Sequence, residues 1–422
     1  MIGGRRTRLT REGWYYVLVL AFVVTGAMLR EINLLMIMSG LLLGPLLLNW
    51  RMAVASLRPL RATRRAVDTI AAGEMLSVEL TVQSGKTWLP RLAPGGWAVT
   101  VDDVLRRVGP GHSPAKLHTG VLFWHIARGE TARLAYRGKL LKRGRYQLGP
   151  LTMSTCFPLG LVRRTEVVPA RHELTVLPRL GRLTPAWQAL CRRALYAERG
   201  RRTQQSALEG DFHSLRDWRP GDSLRQIHWR TTARRRTPVV RRFERPQNAD
   251  VAVLLDLCQR LPKEDLPEED AVVERAIRFA ATVINDLCRQ NSGHVVLGTA
   301  GRTAEVLRGP ASAGMLRECM MHLALLEAGQ GSTFESMLAD VLSHLPRNMQ
   351  VVVITTRRGL GKDGAAQLTQ GWMAAGGRPI APALVVDAAR KELDDYFSSD
   401  EAAEVEASDP TEDSLAESEA RA

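Results

Sequence analysis

An arginine-rich stretch in the middle of the chain carries the side chains best suited to binding chemistry. Ten arginines lie between Arg216 and Arg245. Guanidinium groups bind phosphates and carboxylates through paired hydrogen bonds, so these residues can contact a partner or pair inside the fold. The acidic neighbours that offer internal pairing are Asp211, Asp217, Asp222 and Glu244.

Two tryptophans, Trp218 and Trp229, are interleaved with these arginines, as in some nucleic-acid-binding surfaces. No helix-turn-helix, zinc-finger or ribonucleoprotein motif accompanies them. The sequence therefore favours internal ion pairs or protein contact over nucleic-acid binding.

Motifs of established catalytic sites are missing from the sequence. It contains no Gly-x-Ser-x-Gly elbow, no Walker phosphate-binding loop and no His-Glu-x-x-His motif. We interpret His213, which lies near Asp217 in the sequence, as a packing residue rather than half of a catalytic dyad. The chain is therefore not predicted to be an enzyme, and no catalytic or cofactor-binding residue is assigned.

Turn and cap residues predict the local elements that position the arginine-rich stretch. Pro220-Gly221 predicts a turn, and Ser223 with Gln226 has capping-box spacing. A helix is therefore expected to begin near Leu224. Pro238 should end this helix, and an alternating strand should follow.

Two side chains of this segment are expected to stabilise it. Asp222 should cap the helix or pair with a nearby arginine, and Trp229 should pack its indole against the fold. The segment is thus predicted to be a structural clasp that also presents charge.

Strand-like and helix-like segments alternate from Asp250 onwards, which predicts a doubly wound, mainly parallel sheet. The runs 251–255 and 351–354 are apolar throughout, as expected of central parallel strands. Ligands of such sheets bind at the carboxyl ends of the strands, and Asp256 lies at that position.

Two apolar runs near the N-terminus, 14–29 and 34–50, predict a transmembrane hairpin with a tight turn. Cytoplasmic loops are rich in arginine and lysine, so both ends and all globular parts are expected on the cytoplasmic face of the inner (plasma) membrane. A cleaved signal peptide is the alternative, although no small-x-small cleavage site follows Leu29. The flanking arginines are Arg5, Arg6, Arg8 and Arg11 before the hairpin and Arg51, Arg58, Arg61, Arg64 and Arg65 after it.

Charge and cysteine content agree with this location. The formal net charge is +14, and the acidic C-terminal tail makes the remainder still more basic. The five cysteines are widely spaced and form no Cys-x-x-Cys pair, which indicates a reducing compartment without a zinc site.

Alternating apolar residues between turn signals predict a small antiparallel β-sandwich or barrel after the hairpin. The predicted fold class is thus multi-domain, with an all-β domain and an α/β domain. The predicted regions are a hairpin (1–50), a basic juxtamembrane linker (51–68), the β-rich domain (69–180), the arginine-rich segment (181–249), the α/β domain (250–390) and an acidic disordered tail (391–422).

The arginine-rich segment closely resembles the signature of the "domain of unknown function 58" family. The hairpin, the β-rich domain with its Pro158-Leu159-Gly160-Leu161 element and the α/β domain are also similar to that family's layout. The matching residues are Arg216, Asp217, Trp218, Arg219, Pro220, Gly221, Asp222, Arg225, Ile227, Trp229, Thr232, Ala233 and Arg234.

The resemblance implies a membrane-tethered protein with a von Willebrand factor A-like domain that works with a MoxR-type AAA+ ATPase. The resemblance does not imply any established enzymatic reaction. Other membrane-associated proteins and the lipid bilayer are further expected partners. The residues expected to form the interaction site are Arg216, Asp217, Pro220, Gly221, Asp222, Arg225, Trp229 and Arg234.

Domains like von Willebrand factor A often hold a divalent cation through an Asp-x-Ser-x-Ser loop, a threonine and a later aspartate. Here the loop reads Asp256-Leu257-Cys258-Gln259-Arg260, and Thr355-Thr356 supplies no later carboxylate. Thr333 can still match the family threonine. A thiol and a guanidinium are poor replacements for oxygen ligands, so Asp256, Cys258 and Thr333 are expected to form a degenerate site without a metal.

The sequence therefore predicts a membrane-anchored interaction or adaptor protein. Two alternatives remain open, namely an unrecognised or degenerate enzyme at the membrane and a basic nucleic-acid-binding protein. Salt-dependent DNA or RNA binding would distinguish the second alternative.

Overall fold

The protein is described here from a computed structural model, in which the chain forms two compact units, residues 1–177 and 178–422. The described residues are 4–30, 33–85, 95–109, 116–191, 211–220, 222, 224, 227–244, 250–259, 267–290, 293–330, 337, 341, 349–356, 384–390 and 392–398.

Two apolar helices begin the first unit. Helix α1 spans Arg11–Arg30 and helix α2 spans Asn33–Leu57, and both are long and apolar enough to cross a membrane. Their large apolar side chains are mostly exposed, as lipid-facing residues must be. This supports the predicted hairpin.

Helix α2 continues seven residues past the predicted end of the hairpin at Trp50. Its last two turns bury Ala53, Ser56 and Leu57. Residues 51–68, which the sequence suggested to be a linker, also hold strand β2 (Leu60–Arg65). They are part of the folded unit because Leu60 and Ala62 alternate with the arginines and enter the core.

The first unit is otherwise built from two sheets. The three-stranded sheet has the order β2-β4-β7, and the larger sheet has the order β1-β10-β9-β5-β8-β11-β3, with β6 paired to β5. The remaining strands are β1 (Arg5–Leu9), β3 (Thr69–Ala71), β4 (Met75–Ser84), β5 (Gly96–Val108), β6 (Lys116–Ile126), β7 (Thr131–Lys139), β8 (Gly144–Leu148), β9 (Leu151–Thr155), β10 (Val162–Val168) and β11 (His172–Leu177).

One hydrophobic core joins the two sheets. Val78 and Leu80 of β4 pack in the same cluster as Val99 and Val101 of β5. Residues at alternate positions of each strand face this core, as the period of a β-strand requires. The predicted β-rich domain is therefore present, and strands β1 and β2 extend it beyond the predicted start at residue 69.

The second unit contains a five-stranded sheet with the order β18-β17-β15-β20-β21. Strand β18 is antiparallel to β17, and the other pairs are parallel. Its strands are β15 (Val251–Asp256), β17 (His294–Ala300), β18 (Ala304–Pro310), β20 (Gln350–Thr355) and β21 (Leu384–Asp387). Every residue of β15 and β20 is buried, which confirms the two central strands.

Helices and short strands complete the described part of the second unit. They are β12 (Arg182–Leu183), β13 (Asp211–Asp217), α3 (Trp229–Arg235), β14 (Val239–Glu244), β16 (Cys258–Gln259), α4 (Pro267–Gln290), α5 (Ala313–Leu325), β19 (Gly329–Gln330), α6 (Glu392–Tyr396) and β22 (Phe397–Ser398). One of the helix-like segments that the sequence predicts after Asp250, residues 364–375, lies outside the described residues.

The folded unit extends into the predicted acidic tail. Leu393 and Phe397 are almost fully buried, and the Phe397 ring lies 5.7 Å from that of Phe279. Trp187 packs edge-on against Phe279 as well, with ring centroids 5.1 Å apart. Residues 392–398 are therefore ordered because their apolar side chains complete an aromatic cluster.

Candidate functional site

The arginine-rich segment folds as an antiparallel hairpin of β13 and β14. Backbone bonds from Trp218 N to Pro238 O (2.9 Å) and from His228 N to Val239 O (2.8 Å) close its end. Ile227 forms a further bridge with Val240. The hairpin therefore holds both ends of the connecting loop and the short helix α3.

Helix α3 begins at Trp229 rather than near Leu224. Ile227 N donates to Leu224 O at 3.3 Å in a tight turn, and Ile227 and His228 then bond to the returning strand before the helix begins. The His228 side chain accepts a hydrogen bond from Thr231 N and caps the helix. Ser223 and Gln226, which suggested a capping box, lie outside the described residues.

Asp222 stabilises the turn that precedes the helix. Its carboxylate accepts hydrogen bonds from Arg216 Nη2 (2.7 Å) and from the backbone N of Arg219 (2.9 Å). These bonds, above all the one from Arg216, lower the pKa of Asp222. Of the two roles expected for Asp222, helix cap or arginine partner, the structure therefore shows the pairing with an arginine.

Trp229 does not pack inside the fold, so that prediction is wrong. Its side chain is 67% exposed, and Leu224 is 68% exposed. The apolar contacts of the hairpin come instead from Ile227, Val239 and Val240, which are buried. In the part of the chain that the structure describes, nothing buries the indole at the start of this seven-residue helix.

Four exposed arginines follow this exposed apolar pair closely in the chain. Arg230, Arg234, Arg235 and Arg236 are exposed, and no ion pair joins them to any other residue that the structure describes. We call Leu224, Trp229 and these four arginines the signature surface. Gly221 and Arg225, two of the expected interaction residues, lie outside the described residues, while Asp217 ends β13 and Pro220 is exposed in the turn.

Asp256 lies at the carboxyl end of β15, as predicted, and is buried. Thr355 Oγ1 donates to Asp256 Oδ2 at 3.3 Å, and the main-chain oxygen of Asp256 accepts from Thr356 N at 3.1 Å. Cys258 lies in β16, which pairs with β19, and Thr333 lies outside the described residues. Within the described ranges, no group of three histidine, cysteine or acidic residues is placed to hold a metal ion.

A hydroxyl, an imidazole and a carboxylate form a hydrogen-bonded row that no sequence motif indicated. Thr299 Oγ1 lies 2.7 Å from His322 Nε2, and His322 Nδ1 lies 3.2 Å from Glu305 Oε2. Burial lowers the pKa of His322, and the nearby Glu305 opposes this effect. These three side chains connect β17, β18 and α5. Because Thr299 is fully buried, a substrate has no access to its hydroxyl group.

Comparison with known proteins gives one family model that matches part of the chain. The family described as "Protein of unknown function DUF58" matches residues 214–395, which include the signature surface and the parallel sheet. No curated protein shows significant sequence similarity to the chain.

The similarities to solved structures are distant and partial. A CARDB domain from Pyrococcus furiosus is 13% identical, with 28% of this chain and 87% of that chain covered and a TM-score of 0.16. The C-terminal domain of wzt is 10% identical (29% and 75% covered, TM-score 0.22). A beta-glucosidase from Listeria innocua is 15% identical (28% and 16% covered, TM-score 0.19). TM-scores this low carry no argument about the function of this chain.

Proposed function

We propose, from the membership of residues 214–395 in the DUF58 family of unknown function, that this protein is a membrane-anchored adaptor whose signature surface binds a protein partner. One observation carries the proposal. The family region exposes an indole and a leucine among arginines, on a hairpin whose backbone is hydrogen-bonded at both ends of the loop.

Energetic anchors of protein interfaces have this composition. Tryptophan and arginine are enriched among residues that dominate binding, because each combines a large contact area with directed hydrogen bonds. Exposed arginines also attract an acidic partner surface over several ångströms. The expected partner therefore offers an apolar pocket surrounded by carboxylates.

A MoxR-type AAA+ ATPase is the proposed partner, as the family resemblance implies. The full chain, purified in detergent, should bind the purified ATPase, and the affinity should fall with added salt. Arg230→Ala with Arg235→Ala should weaken binding about tenfold and reduce its salt dependence, because rim charges act mainly through long-range attraction. Surface plasmon resonance at two salt concentrations measures both effects.

Arg61→Ala with Arg65→Ala, in β2 of the first unit, removes the same charge and is the matched control. Equal weakening by both pairs would mean that net charge rather than the signature surface drives binding. Tight binding to DNA or RNA that the Arg230 and Arg235 replacements abolish would instead support a nucleic-acid-binding protein.

The proposed location is the cytoplasmic face of the inner membrane, with both termini on that side. The arginines on both flanks of the hairpin support this orientation. Reporter domains fused after Arg65 and at the C-terminus of the full chain should therefore both show cytoplasmic activity. Labelling of either site by a membrane-impermeant reagent in intact cells would contradict the orientation.

A further inference from the structure

A second group of arginines lies in the first unit, where the chain enters helix α1. Strand β1 pairs with β10 in the register Arg6↔Thr165 and Arg8↔Arg163. Since side chains alternate along a strand, Arg6, Arg8 and Arg163 share one face of this pair. We call this the β1 arginine face.

On the opposite face of the same two strands, both arginines have side-chain partners. Arg5 forms a salt bridge with Glu166 at 3.0 Å, and Arg164 donates to the hydroxyl of Thr7. The side chains of Arg6 and Arg8, in contrast, form no hydrogen bond or ion pair with another residue in the described part of the chain. The β1 arginine face therefore carries two guanidinium groups, those of Arg6 and Arg8, that have no acidic partner among the described residues.

The β1 arginine face lines an open cavity of about 920 Å³. Arg11 contributes a fourth guanidinium, and Glu12 contributes a carboxylate, so the charged side chains of the lining leave a positive excess. Arg163 Nε donates to Cys156 Sγ at 3.2 Å, which orients its guanidinium. The cavity thus has the charge and the directed donors to bind a phosphate group.

The cavity lies beside the hairpin. Thr10, the residue between β1 and α1, donates its hydroxyl hydrogen to Gly160 O at 2.6 Å, and Asn49 Oδ1 on α2 accepts from Val162 N at 2.8 Å. These bonds hold loop 156–161 against the start of α1 and the Trp50 end of the apolar run in α2. Leu159 in this loop is 51% exposed, and Trp14 is 65% exposed.

Positive charge beside exposed leucine and tryptophan is complementary to a lipid at the membrane surface. Arginines bind the phosphate, and tryptophan prefers the depth of the headgroups. A free phosphate ion would use only the arginines and would leave the adjoining apolar side chains without a partner. We infer that the β1 arginine face binds the headgroup phosphate of an anionic phospholipid in the leaflet that the globular units face.

This inference rests on the part of the proposed function that concerns membrane anchoring, and is independent of any protein partner. Its test uses the full chain reconstituted into nanodiscs of equal parts phosphatidylglycerol and phosphatidylcholine. After release from the nanodiscs, native mass spectrometry counts the lipids that remain bound. Phosphatidylglycerol should be retained in clear excess over phosphatidylcholine.

The double variant Arg6→Gln with Arg8→Gln should weaken phosphatidylglycerol retention about 30-fold. Each arginine near an anionic surface contributes roughly 1 kcal/mol to binding, and the loss of two such contributions corresponds to that fold-change. The matched control is Arg5→Gln with Arg164→Gln, which removes the same charge from the opposite face of the same strands. It should retain the lipid. Thermal unfolding of both variants verifies that each is folded.

Three outcomes would overturn the inference. The first is equal retention of the two lipids by the original chain, and the second is an equal loss of retention in the two double variants. The third is displacement of the lipid by millimolar glycerol phosphate, because the site would then bind a soluble phosphate. A chain that fails to enter nanodiscs would contradict membrane anchoring itself, whereas entry without lipid preference contradicts only the lipid site.

Discussion

Replacing Asp103 by alanine should destabilise the first unit by about 3–5 kcal/mol, the usual cost of removing one member of a buried ion pair. Both Asp103 oxygens accept hydrogen bonds from Arg64 Nη1, at 2.8 and 2.9 Å. The two side chains are 1% and 3% exposed. Without the carboxylate, the guanidinium would remain charged and buried, because arginine does not lose its proton in proteins.

Further hydrogen bonds make this pair a junction between the two sheets. Tyr136 on β7 donates its hydroxyl hydrogen to Asp103 Oδ2 at 2.8 Å, and Arg64 Nη2 donates to Leu148 O and Ala170 O. Burial raises the pKa of Tyr136, and the negative charge of Asp103 raises it further, so the phenol stays neutral at all physiological pH values. Loss of Asp103 therefore also leaves Tyr136 without its acceptor.

Hydrogen exchange of the full chain, measured by mass spectrometry, separates the two units. In Asp103→Ala, the amides of β4 and β5 should lose protection, while those of β15 and β17 should not. The matched control is Asp102→Ala at the preceding position of β5, where burial raises the pKa of the carboxyl and its charge is disfavoured. It should cost much less.

The opposite result would change the interpretation of this cluster. If Asp103→Ala leaves β4 and β5 as protected as before, Arg64 reaches solvent and the ion pair is not required. Arg64→Met combined with Asp103→Leu should recover much of the lost stability, because paired removal leaves no uncompensated charge.

Replacing Trp229 by alanine should weaken binding of the proposed ATPase partner about 30-fold, since truncation of an interface anchor costs about 2 kcal/mol or more. The unfolding midpoint of the full chain should hardly change. The indole is 67% exposed, and replacements of exposed residues usually alter stability by less than about 0.5 kcal/mol. Calorimetric titration and thermal unfolding measure the two effects independently.

Trp124→Ala is the matched control, because Trp124 is another tryptophan, 71% exposed, on β6 of the first unit. It should leave binding unchanged. A large loss of stability in Trp229→Ala would mean that the indole is covered in solution and acts as the predicted clasp. Unchanged affinity would remove the signature surface from the proposed interface.

The sequence by itself determined the features that rest on local pattern. Continuous apolar runs predict α1 and α2, because a helix that faces lipid must be apolar around its whole circumference. The apolar runs 251–255 of β15 and 351–354 of β20, with Asp256 at the end of β15, follow from the same reasoning about a sheet covered on both faces. The family signature was likewise readable without coordinates.

Only the tertiary structure decided which polar and aromatic side chains are covered. Arg64 and Arg8 look alike in a basic sequence, yet Arg64 is buried against Asp103 and Arg8 lines an open cavity. Trp229 was expected to be buried, but its indole is exposed in the described structure. Burial depends on contacts between segments far apart in the chain, and a local pattern of residues contains no information about those distances.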